Sequence, residues 1–383
     1  MDCTVVRYGE LGVKGQSVRR RMETRLRENI AAALESDGIS GSVERRHGRL
    51  VVHTTAPEAA ARAVTAVPGV ASASPAVRVS PEAAEIEAAL ADLARGREFD
   101  SYAVRASRAR DDHPFTSPEL EQSGGAAVGE VTDATVDLEA PAVTFEADVR
   151  PDVAYVFAAR HEGPGGLPVG TQAPLVALVS GGIDSPVAAA EMLRRGAPVI
   201  PVYVDLGDYG GVDHRARAIS TCERLAARAP NTDCRPYVVD GGDTLDDIAS
   251  ALDRGRMLSV RRYFFAVAEA IAEIEDAAGI VTGEALGQKS SQTARNLQVT
   301  SAAVELPVHR PLLSMDKPEI TERARKLGTY EEATIQAGCN RLAPDTPETD
   351  GRLEKLRDLE PDNLLERARE DALAATRVSL SDA

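Results

Sequence analysis

The stretch Pro174-Leu-Val-Ala-Leu-Val-Ser-Gly-Gly-Ile-Asp-Ser-Pro186 decides how this chain is read. Its apolar run 175–179 predicts a buried parallel strand, and residues 187–195 predict the helix after it, closed by Gly196. The turn between them therefore lies at a helix N-terminus, where unpaired backbone N–H groups and the positive end of the helix dipole favour an anion. Gly181 and Gly182 let the backbone curl close around phosphate oxygens, while Ser180 and Ser185 add hydroxyl donors. No Gly-Lys-Ser/Thr follows, so the turn is not a Walker P-loop. It reads as a pyrophosphate cradle.

Around this loop, strand-like runs alternate with helical ones: 175–179, 199–204, 235–239, 280–281 and an apolar segment at 304–311. That order predicts a doubly wound parallel sheet, whose ligand site lies at the carboxyl ends of its strands. The Gly- and Pro-rich stretch 162–170 has no periodicity and reads as a linker, with a new domain from about residue 171. Upstream, strands at 2–8, 49–54 and 70–78 with helices at 17–34 and 57–67 suggest a ferredoxin-like α+β unit of about seventy residues. A second unit follows, with helices at 81–95 and 117–128 and strands at 101–106, 142–150 and 153–160. The tail from residue 345 is charged and mostly helical in pattern. The expected domains are 1–78, 79–165 and 171–383.

Composition bounds the function. The sequence has no apolar run of transmembrane length and does not open as a signal peptide, so the expected setting is cytoplasmic, without membrane attachment. Cys3, Cys222, Cys234 and Cys339 are too scattered for a disulfide scaffold, and no Cys-x-x-Cys pair suggests zinc. The net charge of −16 argues at first against a nucleic-acid partner. However, the five lysines and the abundant Asp, Glu and Ala resemble the proteome of a salt-loving archaeon, where carboxylates serve solubility. Local charge is then more telling: residues 1–60 hold ten basic side chains against eight acidic ones.

Four further segments carry chemistry. Thr282-Gly-Glu-Ala-Leu-Gly-Gln-Lys-Ser-Ser-Gln-Thr293 follows a short apolar run and can surround a nucleotide with neutral donors. Arg261 and Arg262, at the start of a long amphipathic helix, could neutralise phosphate or stand solvated. Lys317 sits just before a helix, an unfavourable place for a cation. It serves either a ligand phosphate or the ordinary surface. Cys339, flanked by Gly338 and near Arg341, is placed where a thiol can be exposed and acidified.

Taken together these segments resemble the tRNA 4-thiouridine synthetase (tRNA sulfurtransferase) family over nearly the whole chain. The resemblance rests on Arg7-Tyr-Gly-Glu-Leu-Gly-Val-Lys-Gly15, Gly165-Gly-Leu-Pro-Val-Gly170, Ser180 to Pro186, Thr282 to Gln288, Ser291-Gln-Thr293, Arg310-Pro-Leu312, Asp316-Lys317 and Lys326-Leu-Gly-Thr329. It implies an α/β chain with an N-terminal ferredoxin-like domain and a THUMP RNA-binding domain. A doubly wound parallel-sheet PP-loop domain follows, adenine nucleotide alpha hydrolase-like. It further implies that ATP and Mg²⁺ are used to adenylate O4 of uridine 8 in tRNA, and that sulfur then displaces AMP. By the resemblance Asp184, Lys317 and Cys339 are catalytic. Ser180, Gly181, Gly182 and Ser185 hold phosphates, and Leu178, Val179, Tyr203, Val204, Arg261, Gly283 and Gln292 line the nucleotide.

Many bacterial members carry a C-terminal rhodanese domain, which is not expected here. The sulfur donor is therefore open between free sulfide, a separate carrier protein, and Cys222 or Cys234 pairing with Cys339. Without a Cys-x-x-Cys pair, no iron–sulfur cluster is expected. Arg19, Arg20, Arg21, Arg105, Arg108 and Arg110 are candidates for RNA phosphate contacts, and a homodimer is compatible with the sequence. The alternatives are a role in thiamine thiazole synthesis, another PP-loop enzyme acting on tRNA or a small molecule, and a tRNA-binding protein with a silent catalytic domain.

Overall fold

The computed structural model describes residues 1–13, 15–210, 212–333 and 342–380. Two units divide the chain, Met1–Pro168 and Val169–Ala383.

The first unit begins with β1 (Cys3–Arg7), α1 (Gln16–Ser36), β2 (Ser42–Arg46), β3 (Arg49–His53), α2 (Pro57–Val64) and β4 (Ser72–Val79). Helix α1 forms because Met22, Leu26, Ile30, Ala33 and Leu34 recur at three- and four-residue spacing and are buried together. The strand order β2-β3-β1-β4 is antiparallel throughout, a ferredoxin-like arrangement. β2 is absent from the sequence reading. Its residues Ser-Val-Glu-Arg-Arg show no apolar alternation because the strand is an exposed edge. The turn that places it, His47-Gly48, has positive φ at both residues, 45° and 76°, the geometry of a tight hairpin.

The sheet continues through α3 (Ala83–Ala94), β5 (Ser101–Arg108), α4 (Ser117–Gly129), β6 (Thr135–Val136), β7 (Val143–Val149) and β8 (Ala154–Phe157), in the order β4-β8-β7-β5-β6. Helix α4 starts on a capping box in which Thr116 and Glu119 satisfy each other's backbone N–H groups. The expected linker is structured in its first half. β9 (His161–Glu162) pairs with β4, and the Gly163 N–H donates to the Ala71 carbonyl at 2.9 Å. A Cβ on Gly163 would lie 2.3 Å from the Val70 carbonyl oxygen, so glycine here serves close packing rather than freedom.

The second unit alternates β10 (Leu175–Leu178), α5 (Asp184–Arg194), β11 (Val199–Asp205), α6 (Val212–Arg228), β12 (Tyr237–Asp240), α7 (Gly242–Ala251), α8 (Arg256–Ile274), β13 (Ile280–Val281), α9 (Ala294–Ser301), β14 (Val308–His309) and α10 (Lys317–Leu327). After these come α11 (Tyr330–Ala333), α12 (Leu353–Arg357), α13 (Leu364–Leu373) and β15 (Thr376–Arg377). The sheet order is β14-β13-β10-β11-β12-β15, parallel except for β15. Alternate strand residues face opposite cores. Val176, Val202 and Val204 pack on α7, α8 and α13, whereas Leu175, Ala177 and Tyr203 pack on α5, α6 and α10. The doubly wound sheet is as expected, with one correction: the helical-looking tail ends in an edge strand. Two residues are too few to leave a periodic trace.

Candidate active site

A cavity of about 370 Å³ opens at the carboxyl ends of β10, β11 and β13. Its apolar walls come from Leu178, Val202, Val204 and Leu206 on the sheet side and Met257, Val260, Phe264 and Phe265 on α8. Its polar end is the 180–185 loop, with Thr282, Gly283 and Lys289. An apolar slot running into hydroxyls and backbone N–H groups suits a flat base joined to phosphates.

The loop is closed on itself. The Ser180 N–H donates to Ser185 Oγ at 2.9 Å, the two hydroxyls lie 3.0 Å apart, and the Gly182 N–H reaches Ser180 Oγ at 3.3 Å. Helix α5 begins at Asp184, three residues sooner than expected, because Asp184 and Ser185 already belong to its first turn. Gly283 is indispensable to the approach of the neighbouring segment: a Cβ there would meet the Ser185 nitrogen at 2.7 Å. Gly181 does not line the cavity. It backs onto α6, where a Cβ would meet Arg217 Cβ at 3.0 Å.

Charges converge on the same place. Lys317 Nζ lies 2.6 Å from Asp184 Oδ1, across 133 residues of sequence. The lysine stands at the first position of α10, where no capping interaction explains it. Deeper in, Glu284 is shared by two arginines: Arg261 Nε is 3.1 Å from Oε1, and Arg310 Nε donates to Oε2 at 2.9 Å. Arg261 also donates to Ser291 Oγ at 2.8 Å. Burial pushes the Arg261 guanidinium below its ordinary pKa, Glu284 opposes this, and Arg310 adds to it. One carboxylate between two guanidinium groups leaves a net positive wall beside the slot.

Arg262, the neighbour of Arg261, is a correction. It points to the other side of α8, is buried, and donates to Glu360 Oε1 at 2.8 Å. It holds the fold and faces no phosphate. Cys222 and Cys234 lie in the core of the second unit. They are buried, and burial is the first cause raising both thiol pKa values. Cys339, with the surrounding residues 334–341, lies outside the described residues.

Of the remaining expected residues, Leu178, Val179, Tyr203, Val204 and Gln292 all line the cavity. Sequence reasoning missed the α8 aromatics Phe264 and Phe265, and His214, whose Nδ1 lies 3.1 Å from the Tyr203 hydroxyl. The apolar stripe of α8 was legible; which of its residues faces a ligand was not. In the first unit, Arg20, Arg21 and Arg110 are exposed. Arg19 is tied to Glu23, Arg105 donates to the Leu138 carbonyl, and Arg108 donates to the Phe115 carbonyl.

Comparison with known proteins agrees with this architecture. The sequence pattern of the ThiI family, described as thiamine biosynthesis protein, matches residues 170–365. Those of the ThiI ferredoxin-like domain and the THUMP domain match residues 3–74 and 82–158. A probable tRNA sulfurtransferase of Halobacterium salinarum is 52% identical over 373 residues, covering 96% of this chain and 95% of its own. Its counterpart in Methanosarcina acetivorans is 37% identical, covering 91% and 86%. The crystal structure of a 4-thiouridine synthetase–RNA complex with bound ATP matches with a TM-score of 0.83 at 28% identity, over 99% of this chain and 100% of that one. The chain thus belongs to the ThiI family, alongside these tRNA sulfurtransferases.

Proposed function

We propose that this protein is an ATP-dependent tRNA sulfurtransferase that adenylates uridine 8 and replaces its O4 with sulfur to give 4-thiouridine. The observation that carries the reading is the phosphate loop at the end of an apolar slot, with Asp184 and Lys317 paired beside it. A 4-thiouridine synthetase of the same fold has been seen with RNA and ATP.

The uridine carbonyl oxygen is a poor leaving group, so it must first be converted. O4 attacks the α-phosphorus, the bond to the β-phosphate oxygen breaks, pyrophosphate departs, and the N3 proton is released. A sulfur nucleophile then adds at C4, the C4–O bond breaks, and AMP leaves. Ser180, Gly182 and Ser185 hold the phosphates, Gly181 shapes the turn, and Leu178, Val179, Tyr203, Val204, Arg261, Gly283 and Gln292 surround the nucleotide. Lys317 offsets charge developing at the α-phosphate. Among the described residues no group of three metal-ligating side chains occurs. Mg²⁺ would therefore be carried by the nucleotide's own phosphates with Asp184, and would neutralise them.

Sulfur comes either from sulfide, which attacks C4 directly, or from the persulfide of a separate carrier protein, whose outer sulfur passes to the Cys339 thiolate as the carrier thiolate leaves. The first unit holds the tRNA, and a homodimer would let one subunit grip the acceptor end while its partner acts on the base. The setting is the cytoplasm. Thiamine thiazole synthesis remains the second reading, on the strength of the family's description.

The test supplies tRNA, ATP, Mg²⁺ and sulfide and follows 4-thiouridine by its near-ultraviolet absorbance. Wild type should form product, and Asp184→Ala should not. No product from wild type, or full product from both Asp184→Ala and Cys339→Ala, sinks the mechanism. Product retained by Cys339→Ala alone marks direct use of sulfide.

A further inference from the structure

Leu286, in the segment that lines the cavity through Thr282, Gly283, Glu284 and Lys289, and Leu313 both face solvent, at 52% and 40% exposed. Leu286 lies in the segment after β13 and Leu313 in the segment after β14. The Leu286 N–H donates to the Leu313 carbonyl at 3.0 Å, which ties the two segments together at the backbone of the leucines. The turn that presents Leu286 is fixed to the cavity wall, because the adjoining Gly287, at φ 73°, donates its N–H to the Gln292 carbonyl at 2.9 Å. Both segments also border the phosphate loop. Gly283 in the first packs on the Ser185 nitrogen, and the second leads into Lys317, paired with Asp184. A single exposed leucine needs no explanation. A pair joined through the backbone, on a segment whose Gly283 and Lys289 line the cavity, does.

We propose that Leu286 and Leu313 form the shelf on which the target uracil lies once it has left the RNA stack. The inference rests on the thiolation reading. A base that undergoes chemistry must be extruded, and enzymes offset the lost stacking by offering apolar surface to the faces of the extruded ring. A uracil whose O4 reaches the phosphate end passes the segment that carries Leu286. Lys289 matches the charge of the RNA backbone that follows the base. The shelf selects for a flat ring without reading its edge, so it positions the base while the phosphate end supplies the chemistry.

The test compares wild type with Leu286→Ser, Leu313→Ser, the double serine variant and a double methionine variant. Expected for the double serine variant are ATP affinity by calorimetry and tRNA affinity by filter binding within about twofold of wild type, with 4-thiouridine formation at limiting tRNA down about tenfold. The methionine pair should restore most of that rate. A 2-aminopurine placed beside the target should brighten on binding wild type and stay dim with the double serine variant. Thiolation by the double serine variant within about twofold of wild type overturns the shelf. So does a parallel loss of ATP affinity, which would make the leucines part of the loop's packing. A defect confined to carrier-delivered sulfur, absent with sulfide, overturns it in favour of a carrier-docking surface. Wild type that binds ATP yet forms no 4-thiouridine instead removes the thiolation reading itself.

Discussion

At the scale of single residues, the site combines a charge pair, a tight glycine and a buried imidazole. Lys317→Ala should cost about a hundredfold or more in thiolation rate, in keeping with loss of a preorganised charge at a reacting phosphate. Its circular dichroism and melting temperature should stay near wild type, because the Lys317 side chain is half exposed. A pH effect follows from His214. Burial, then the field of Arg217, holds its imidazole below the ordinary value. On acidification the unfolded chain, titrating at about 6.5, takes up a proton before the folded chain does. Stability is therefore full above that value and falls as pH drops below it. His214→Gln should flatten that part of the acid limb when melting temperature is followed from pH 7 to 5. An unchanged slope would show that other groups carry it.

At the scale of elements, α8 shows what a sequence discloses and what it hides. The pair Arg261-Arg262 reads as one basic patch, yet the helix turns adjacent residues about 100° apart, sending one to the ligand slot and the other to Glu360. Removing Arg262 leaves a buried carboxylate unpaired, so Arg262→Ala should destabilise by about 3–5 kcal/mol in urea denaturation. Glu284→Gln should instead act on the slot, raising the KM for ATP more than it lowers kcat. The strand–loop–helix at 175–194 was legible because apolar run, glycines and small-residue helix agree locally. By contrast β2 and β15 were not, because an exposed edge needs no apolar pattern and pairs through backbone alone. The first half of the expected linker failed for a related reason. Glycine marks freedom and close approach alike, and only the neighbouring Val70 carbonyl tells them apart.

At the scale of the molecule, 60 acidic side chains face 44 basic ones. Like-charge repulsion then opposes the compact state, and salt relieves it as the Debye length shrinks from about 10 Å at 0.1 M to about 3 Å at 1 M. Melting temperature should climb steeply with KCl over that range. A flat response would undo the salt-loving reading that the composition suggests and the Halobacterium relative supports. The position of β15 bears on how the chain is made. Among the described residues, strand β12 pairs on its outer edge with residues 376–377, about 140 positions later. During synthesis the nucleotide-binding sheet can assemble from its centre, but one flank stays open until that segment emerges from the ribosome. For that interval the nascent protein offers a bare strand to any neighbour on the same message, and residues 376–377 close it.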